Sequence, residues 1–226
     1  MPSFESVSRA ALPLVVAAIA GYFLGALPFG YWIARARGVD IFAAGSRSSG
    51  ATNVVRTIGK GAGYTVFVLD VLKGAAAAGW PLLVLALKGP AAGASAAGAL
   101  RFAHTLGATG LVCALLGHSF SCFTRFRGGK GVAAGAGGFL VLMPIVTVIG
   151  AAAWALVYYA SGYVSLASLG AAVTLPVAGV FLNEPWFLIV IACAVAVFVT
   201  FRHRANIARL LAGTEHKRGR KREVAS

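Results

Sequence analysis

The sequence predicts an all-α integral membrane protein of about seven transmembrane helices, and three observations carry that prediction. Only 12% of the 226 residues are charged while 59% are hydrophobic, whereas a soluble domain carries about 25% charged residues. The apolar residues come in runs of about 20, enough for a helix to cross the hydrocarbon core. The basic residues are clustered: five fall between Arg35 and Lys60, three between Arg125 and Lys130, and eight between Arg202 and Arg222, so 16 of 20 lie in three short segments between or after apolar runs. Lys and Arg beside membrane spans favour the cytoplasmic side.

In chain order, a first span is expected at about 11–33, a second at about 62–87 and a third at about 102–120, after the Gly/Ala-rich connector 88–101. With the N-terminus outside, the first two basic segments then lie inside. From 132 to 201 the chain is almost unbroken apolar sequence. An even number of spans must fill it if the third basic segment is also cytoplasmic. Breaks at Met143-Pro144, Ser161-Gly162-Tyr163 and Asn183-Glu184-Pro185 divide that stretch into four, some shorter than a full bilayer crossing. Seven spans result, or five if the Pro144 or Gly162 break is only a kink. Residues 1–215 read as one polytopic membrane domain and 216–226 as a basic cytoplasmic tail resting on anionic headgroups. Glycine is abundant, with 29 residues, which suits close helix contacts such as those expected at Gly135 and Gly138.

Several function classes are excluded. The net charge of +14 does not indicate nucleic-acid binding, because the basic residues flank membrane spans. Cys113, Cys122 and Cys193 show neither disulfide nor metal spacing. No metal cluster, nucleotide fingerprint or cofactor motif appears, no cleavable signal peptide is expected, and no repeat suggests a transporter built of two halves.

The chemistry lies in the three polar segments. The first reads Gly45-Ser46-Arg47-Ser48-Ser49-Gly50-Ala51-Thr52-Asn53-Val54-Val55-Arg56. Its glycines let backbone N–H groups turn toward an anion, and its hydroxyls and arginines supply further donors. The second contains His118 and Gly128-Gly129-Lys130-Gly131, an anion nest with Lys130 as a point charge at a helix N-terminus. It is no Walker loop, since no Ser or Thr follows the lysine. The third reads Arg202-His203-Arg204-Ala205-Asn206-Ile207-Ala208-Arg209 through Glu215. His203 and Asn206 are three apart on one helix face, and the imidazole offers a proton acceptor near neutral pH. Asp70 and Lys73 lie about 12–17 Å along the second span from its start. Charges at that depth are costly, and i, i+3 spacing lets these two pair. His118 reads as a structural hydrogen-bonding residue at the end of the third span.

Taken together, the segments resemble the acyl-phosphate-dependent glycerol-3-phosphate acyltransferases of bacterial membranes (PlsY type). The resemblance covers Gly45 to Lys60, Asp70-Val-Leu-Lys73-Gly74, Gly117-His118 through Gly128-Gly-Lys-Gly-Val132, and His203-x-x-Asn206-Ile-x-Arg209-Leu through Gly213-x-Glu215. One departure is clear: the family's first motif commonly reads Gly-Ser-Gly-Asn-x-Gly-Ala-Thr-Asn, and Arg47 and Ser48 stand at its third and fourth positions here.

The resemblance implies transfer of a fatty acyl group from acyl phosphate to the sn-1 hydroxyl of glycerol 3-phosphate, giving lysophosphatidic acid and phosphate. It implies Ser46, Arg56, Lys130, His203 and Asn206 as catalytic residues. Gly45, Thr52, Asn53, Gly128, Gly129 and Gly131 would bind substrate. The expected partners are acyl phosphate, glycerol 3-phosphate and membrane lipid, with no cofactor, metal, nucleic acid or obligate protein partner. The expected location is the bacterial inner membrane, with the active site facing the cytoplasm. The His-x4-Asp signature of other acyltransferases is absent: Thr109, Phe123, Ala208 and Lys221 stand five residues after His104, His118, His203 and His216. The competing reading is a transporter or flippase of a phosphorylated metabolite or lipid. The mapping of all three motifs to one side favours an enzyme.

Overall fold

The computed structural model describes residues 4–218, which form helices and connecting loops with no strand among them. The helices are α1 (Phe4–Ala26), α2 (Phe29–Arg35), α3 (Ala51–Thr57), α4 (Lys60–Lys88), α5 (Ala96–Ser119), α6 (Val132–Leu142), α7 (Pro144–Ser161), α8 (Val164–Phe181), α9 (Trp186–Arg202) and α10 (Arg204–Leu211), with a 3-10 turn at Cys122–Thr124. They fall into two compact units, Met1–Pro144 and Ile145–Ser226.

All three breaks expected between 132 and 201 separate helices, so Pro144 and Gly162 are not mere kinks. Four helices thus fill that stretch, and by length and composition five or six of the described helical stretches suffice to span. Five stretches are long and apolar enough to span: Ala11–Arg35, Lys60–Lys88, Ala96–Thr124, Pro144–Ser161 and Val164–Phe181. The pair α9 and α10, bent by 60° at its break, makes a sixth if it counts as one span. The short helix is α6, whose 11 residues reach about 16 Å at 1.5 Å per residue, roughly half the hydrocarbon thickness.

In the first unit the helices approach so closely that glycine is required at the contacts. A Cβ on Gly21 or Gly25 of α1 would overlap the backbone of Gly110 or Ala114 on α5. One on Gly74 of α4 would meet the Ala134 carbonyl of α6, and one on Gly137 would meet that of Val71. Of the two glycines singled out from sequence, Gly138 is pressed against the Leu111 side chain, while Gly135 has ordinary room, with Leu115 Cδ2 at 3.6 Å. Lipid gives helices no hydrophobic reason to associate, so backbone-to-backbone packing of this kind supplies the attraction. The outer faces are correspondingly apolar: Leu12, Val15, Ile19 and Phe23 form an exposed stripe at helical spacing along α1.

The second unit is built on the α8–α9 hairpin and on α7, whose Trp154 Nε1 donates to Ser168 Oγ of α8 at 3.3 Å. The start of the expected tail is docked at the α7–α8 corner. Arg218 N donates to the Gly162 carbonyl at 2.9 Å, and its guanidinium lies 5.3 Å from the Tyr159 ring centre. Residues 219–226 of that tail lie outside the described residues.

Candidate active site

The first polar segment folds into a tight loop whose organiser is Asn53. Position 53 falls on the inner face of the short helix α3, and its side chain is buried. Its Nδ2 donates to the carbonyls of Ser48 at 2.9 Å, Ala44 at 3.1 Å and Ile41 at 3.2 Å, while its Oδ1 accepts from Ser46 N at 2.7 Å. One amide thus satisfies backbone groups that the turn leaves unpaired. Gly45 has φ +58°, and a Cβ there would strike Asn53 Oδ1, so glycine is required twice over. Arg47, where the resembled motif has glycine, keeps a left-handed backbone at φ 55°. Gly45 and the Arg47 side chain are exposed, and Ser46, Thr52 and Arg56 are half-buried.

The second segment starts at the end of α5. Ser121 Oγ donates to the Ala26 carbonyl at 2.6 Å, pinning the loop to the end of α1. Thr124 Oγ1 hydrogen-bonds the Arg127 carbonyl, and Arg125 and Phe126 take left-handed conformations in succession. Arg127 donates to the Phe42 carbonyl at 3.0 Å and stacks on its ring at 4.4 Å. This cation is therefore a strut between the first two segments. A second link joins them where Ser48 Oγ donates to the Gly128 carbonyl at 3.4 Å, with Gly50 facing Gly129. Lys130, half-buried, directly precedes Gly131, the N-cap of α6 with φ 86°.

Beneath these loops lies a buried ionic cluster. Asp70 Oδ1 accepts from Lys73 Nζ at 2.8 Å, as the i, i+3 spacing predicts, and stands 3.6 Å from His118 Nδ1. Lys73 also donates to the Leu27 carbonyl at 2.9 Å, which the interruption of the helix at Pro28 exposes. Each charged group deep in the bundle therefore has a partner, as burial demands. Asp70, Lys73 and His118 line a small cavity together with Leu27, Ser49 and Ser121.

The second unit holds the other two expected catalytic residues. His203 is not inside a continuous helix: it sits at the 60° break, ending α9 and opening α10. Its carbonyl accepts from Asn206 N at 2.8 Å, so both residues occupy the first turn of α10. His203 Nδ1 lies 2.8 Å from the Val199 carbonyl. A carbonyl can only accept, so Nδ1 carries the hydrogen and Nε2 is the acceptor nitrogen of the neutral ring.

Asn206 Nδ2 donates to Glu215 Oε1 at 2.9 Å, Ser165 Oγ to the same oxygen at 3.1 Å, and Arg209 Nε to Oε2 at 2.7 Å. Burial pushes the Glu215 carboxyl upward. The hydrogen bonds from Asn206 and Arg209, the Arg209 charge and the Ser165 hydroxyl outweigh it and hold the group below the ordinary glutamate value.

Sequence reasoning did not place Ser48, His118 or Glu215 in the site. For Glu215 a signal was present: it is one of only six acidic residues in the chain, and it follows a strongly basic segment. Ser48 stood in the hydroxyl-rich first segment and His118 read as a structural hydrogen-bonding residue, but their partners were hidden because they lie 80 and 48 residues away in the chain.

The family model for glycerol-3-phosphate acyltransferase matches residues 15–213. A glycerol-3-phosphate acyltransferase of Fusobacterium nucleatum subsp. nucleatum is 44% identical over 200 residues, covering 87% of this chain and 93% of its own. One of Acaryochloris marina is 41% identical over 213 residues, covering 92% and 93%. Among solved structures, the glycerol 3-phosphate form of PlsY (YgiH), an integral membrane glycerol 3-phosphate acyltransferase, superposes with a TM-score of 0.79 at 33% identity, covering 91% of this chain and 96% of that one. Its lysophosphatidic acid form gives 0.76, covering 90% and 94%. With the three motifs in order and the family match running through nearly the whole chain, this multi-pass membrane protein belongs to the glycerol-3-phosphate acyltransferase family.

Proposed function

We propose that the protein moves a fatty acyl group from acyl phosphate to the sn-1 hydroxyl of glycerol 3-phosphate, releasing 1-acylglycerol 3-phosphate and inorganic phosphate. This is the first step of phospholipid synthesis, placed here at the cytoplasmic face of the bacterial inner membrane. The observation that carries the reading is the hydrogen bond from Ser48 to Gly128, which joins two glycine-rich, cation-bearing loops in one unit. Both proposed substrates carry a phosphate, and two adjoining anion loops suit such a pair. The solved relatives named above were captured with glycerol 3-phosphate and with lysophosphatidic acid, one the acceptor and the other the product of this reaction.

Acyl phosphate is a mixed anhydride with a good leaving group, so the protein chiefly supplies positioning and charge neutralisation. The sn-1 hydroxyl attacks the acyl carbonyl, the ester C–O bond forms, and the bond to the phosphate oxygen breaks with its electron pair leaving on phosphate. The hydroxyl proton passes to His203 Nε2 or to a phosphate oxygen. Ser46, Arg56 and Lys130 donate to phosphate oxygens, Gly45, Thr52, Gly128, Gly129 and Gly131 shape the anion loops, and His203 and Asn206 hold glycerol 3-phosphate. Asn53 contributes by fixing the turn that carries Ser46. No acyl-serine forms, because an ester at Ser46 would be a poorer donor than the anhydride it came from.

The test offers purified protein acyl phosphate, acyl-CoA or acyl carrier protein separately, with labelled glycerol 3-phosphate. Turnover with acyl phosphate alone is expected, and comparable turnover with acyl-CoA refutes the donor. Intact-mass measurement after mixing with acyl phosphate alone is expected to show unmodified protein. An acyl adduct at Ser46 that glycerol 3-phosphate discharges at the turnover rate refutes direct transfer. Cysteines placed at positions 48 and 127, in a background lacking native cysteines, are expected to label from the cytoplasmic side only. Labelling only from outside overturns the orientation.

A further inference from the structure

The glycines of the second loop do not all serve the same purpose. Gly131 has φ 86° and needs glycine for its backbone conformation, but Gly128 and Gly129 lie outside the left-handed region. What excludes a side chain at Gly129 is a neighbour: a Cβ there would fall on Nε2 of His118, with Cε1 and Cδ2 of the same ring next nearest. A Cβ on Gly128 would fall on the His118 carbonyl, and Gly129 N donates to that carbonyl at 3.1 Å. The loop is therefore seated on His118 through both ring and backbone.

The ring is fixed in turn. Asp70 stands behind it, 3.6 Å from Nδ1, and is itself held by Lys73, which reaches the Leu27 carbonyl. All three side chains are buried. A continuous buried chain thus runs from the break between α1 and α2, through α4 and the end of α5, to the backbone of Gly129. Rigid support behind a binding loop is what keeps its N–H groups converged on an anion before the anion arrives.

We infer that His118, oriented by Asp70, is a positioning residue for the acyl-phosphate loop Gly128–Gly131, acting through steric contact between its ring and Gly129. This rests on the acyl-phosphate reading above. The proposed action is through the loop backbone and not on the reacting atoms, so it predicts an effect on donor KM and a specific non-additivity. Removing the ring vacates the space a Cβ at position 129 needs.

The experiment measures steady-state kinetics of the full chain with acyl phosphate and glycerol 3-phosphate for Gly129→Ala, His118→Ala and the double variant. Each single variant is expected to raise KM for acyl phosphate about tenfold, with kcat and KM for glycerol 3-phosphate within about threefold. The double variant is expected to be no worse than His118→Ala alone, instead of the roughly hundredfold that independent effects give. Asp70→Asn is expected to raise donor KM in the wild-type background and to add nothing to His118→Ala. Multiplying effects in the double variant overturn the inference. So does a loss in His118→Ala confined to kcat at saturating donor, which marks direct chemistry.

Thermal unfolding in detergent reports whether each variant folds. If His118→Ala does not, His118→Gln, which fills similar space without the Asp70-anchored ring, is expected to raise donor KM, and a wild-type KM there overturns the inference. A wild-type protein that does not turn over acyl phosphate refutes the donor reading, and the inference falls with it. A wild-type protein that does, beside variants of unaltered KM, refutes this inference alone.

Discussion

Asn206 and Glu215 are joined by a 2.9 Å hydrogen bond from amide to carboxylate, across the turn that ends α10. The same carboxylate takes Ser165 of α8 and Arg209. One buried acid thereby orients Asn206 and ties α10 to α8.

Glu215→Ala is expected to cost about 2–3 kcal/mol of stability, since it leaves Asn206 and Ser165 without their charged acceptor. The pH dependence follows from the depressed carboxyl. Its contribution is fully present above the unfolded-state value and is lost as pH falls through the lower folded-state value. In thermal unfolding from pH 7 to pH 3, the gap between wild type and Glu215→Gln is expected to narrow at the acid end. A gap that widens on acidification contradicts the assignment.

Asn53→Asp is expected to be nearly as damaging as Asn53→Ala. The amide NH2 donates to carbonyls of Ile41, Ala44 and Ser48, and a carboxylate cannot donate. Each change is expected to lower stability by about 2 kcal/mol or more, from buried carbonyls left unsatisfied. Unfolding midpoints measure this. A stable Asn53→Asp protein would mean the loop is held by other contacts.

Arg47 tests whether the departure at this position concerns backbone or charge. Its φ of 55° costs a non-glycine residue roughly 1–2 kcal/mol, partly offset because glycine loses more freedom on folding. Arg47→Gly is therefore expected to be stability-neutral or better, by up to about 1 kcal/mol, and to retain activity. Arg47→Val is expected to destabilise, since a β-branched residue tolerates that conformation least. Loss of most activity in a well-folded Arg47→Gly would instead show that the guanidinium contacts substrate.

Arg56→Ala and Lys130→Ala are each expected to lose about 2 kcal/mol of transition-state stabilisation, roughly a thirtyfold fall in kcat/KM, by removing a charge-assisted phosphate contact. Folding of both is expected to be intact by thermal unfolding. Near-normal kinetics in both would mean that phosphate is bound elsewhere.

The membrane class, the helix breaks and the three polar segments were legible because each depends on short-range information. Hydropathy over about 20 residues, a proline, or a run of glycines and hydroxyls reports on its own neighbourhood. The Asp70–Lys73 pair was legible for the same reason, since i, i+3 spacing is local. Composition also showed that glycine would matter, but not why at each site. At Gly45 and Gly131 it is needed for a left-handed backbone, and at Gly129 for the ring of His118. A one-letter pattern is the same in both cases.

Only the tertiary structure decided the rest. The position of its ends limited α6 to 11 residues, although its composition is that of a span. Asn53 turned inward to satisfy three carbonyls, while Arg127, one of the clustered cations, was drawn onto Phe42 as a strut. His118 acquired its place against Gly129 and Asp70 from the packing of α4 beside α5. The physical reason is common to all of them. A buried polar group must find a partner wherever the folded chain brings one within hydrogen-bonding distance. In a bundle of helices up to 29 residues long, that partner is often on a different helix, dozens of residues away in sequence, where no local pattern records it.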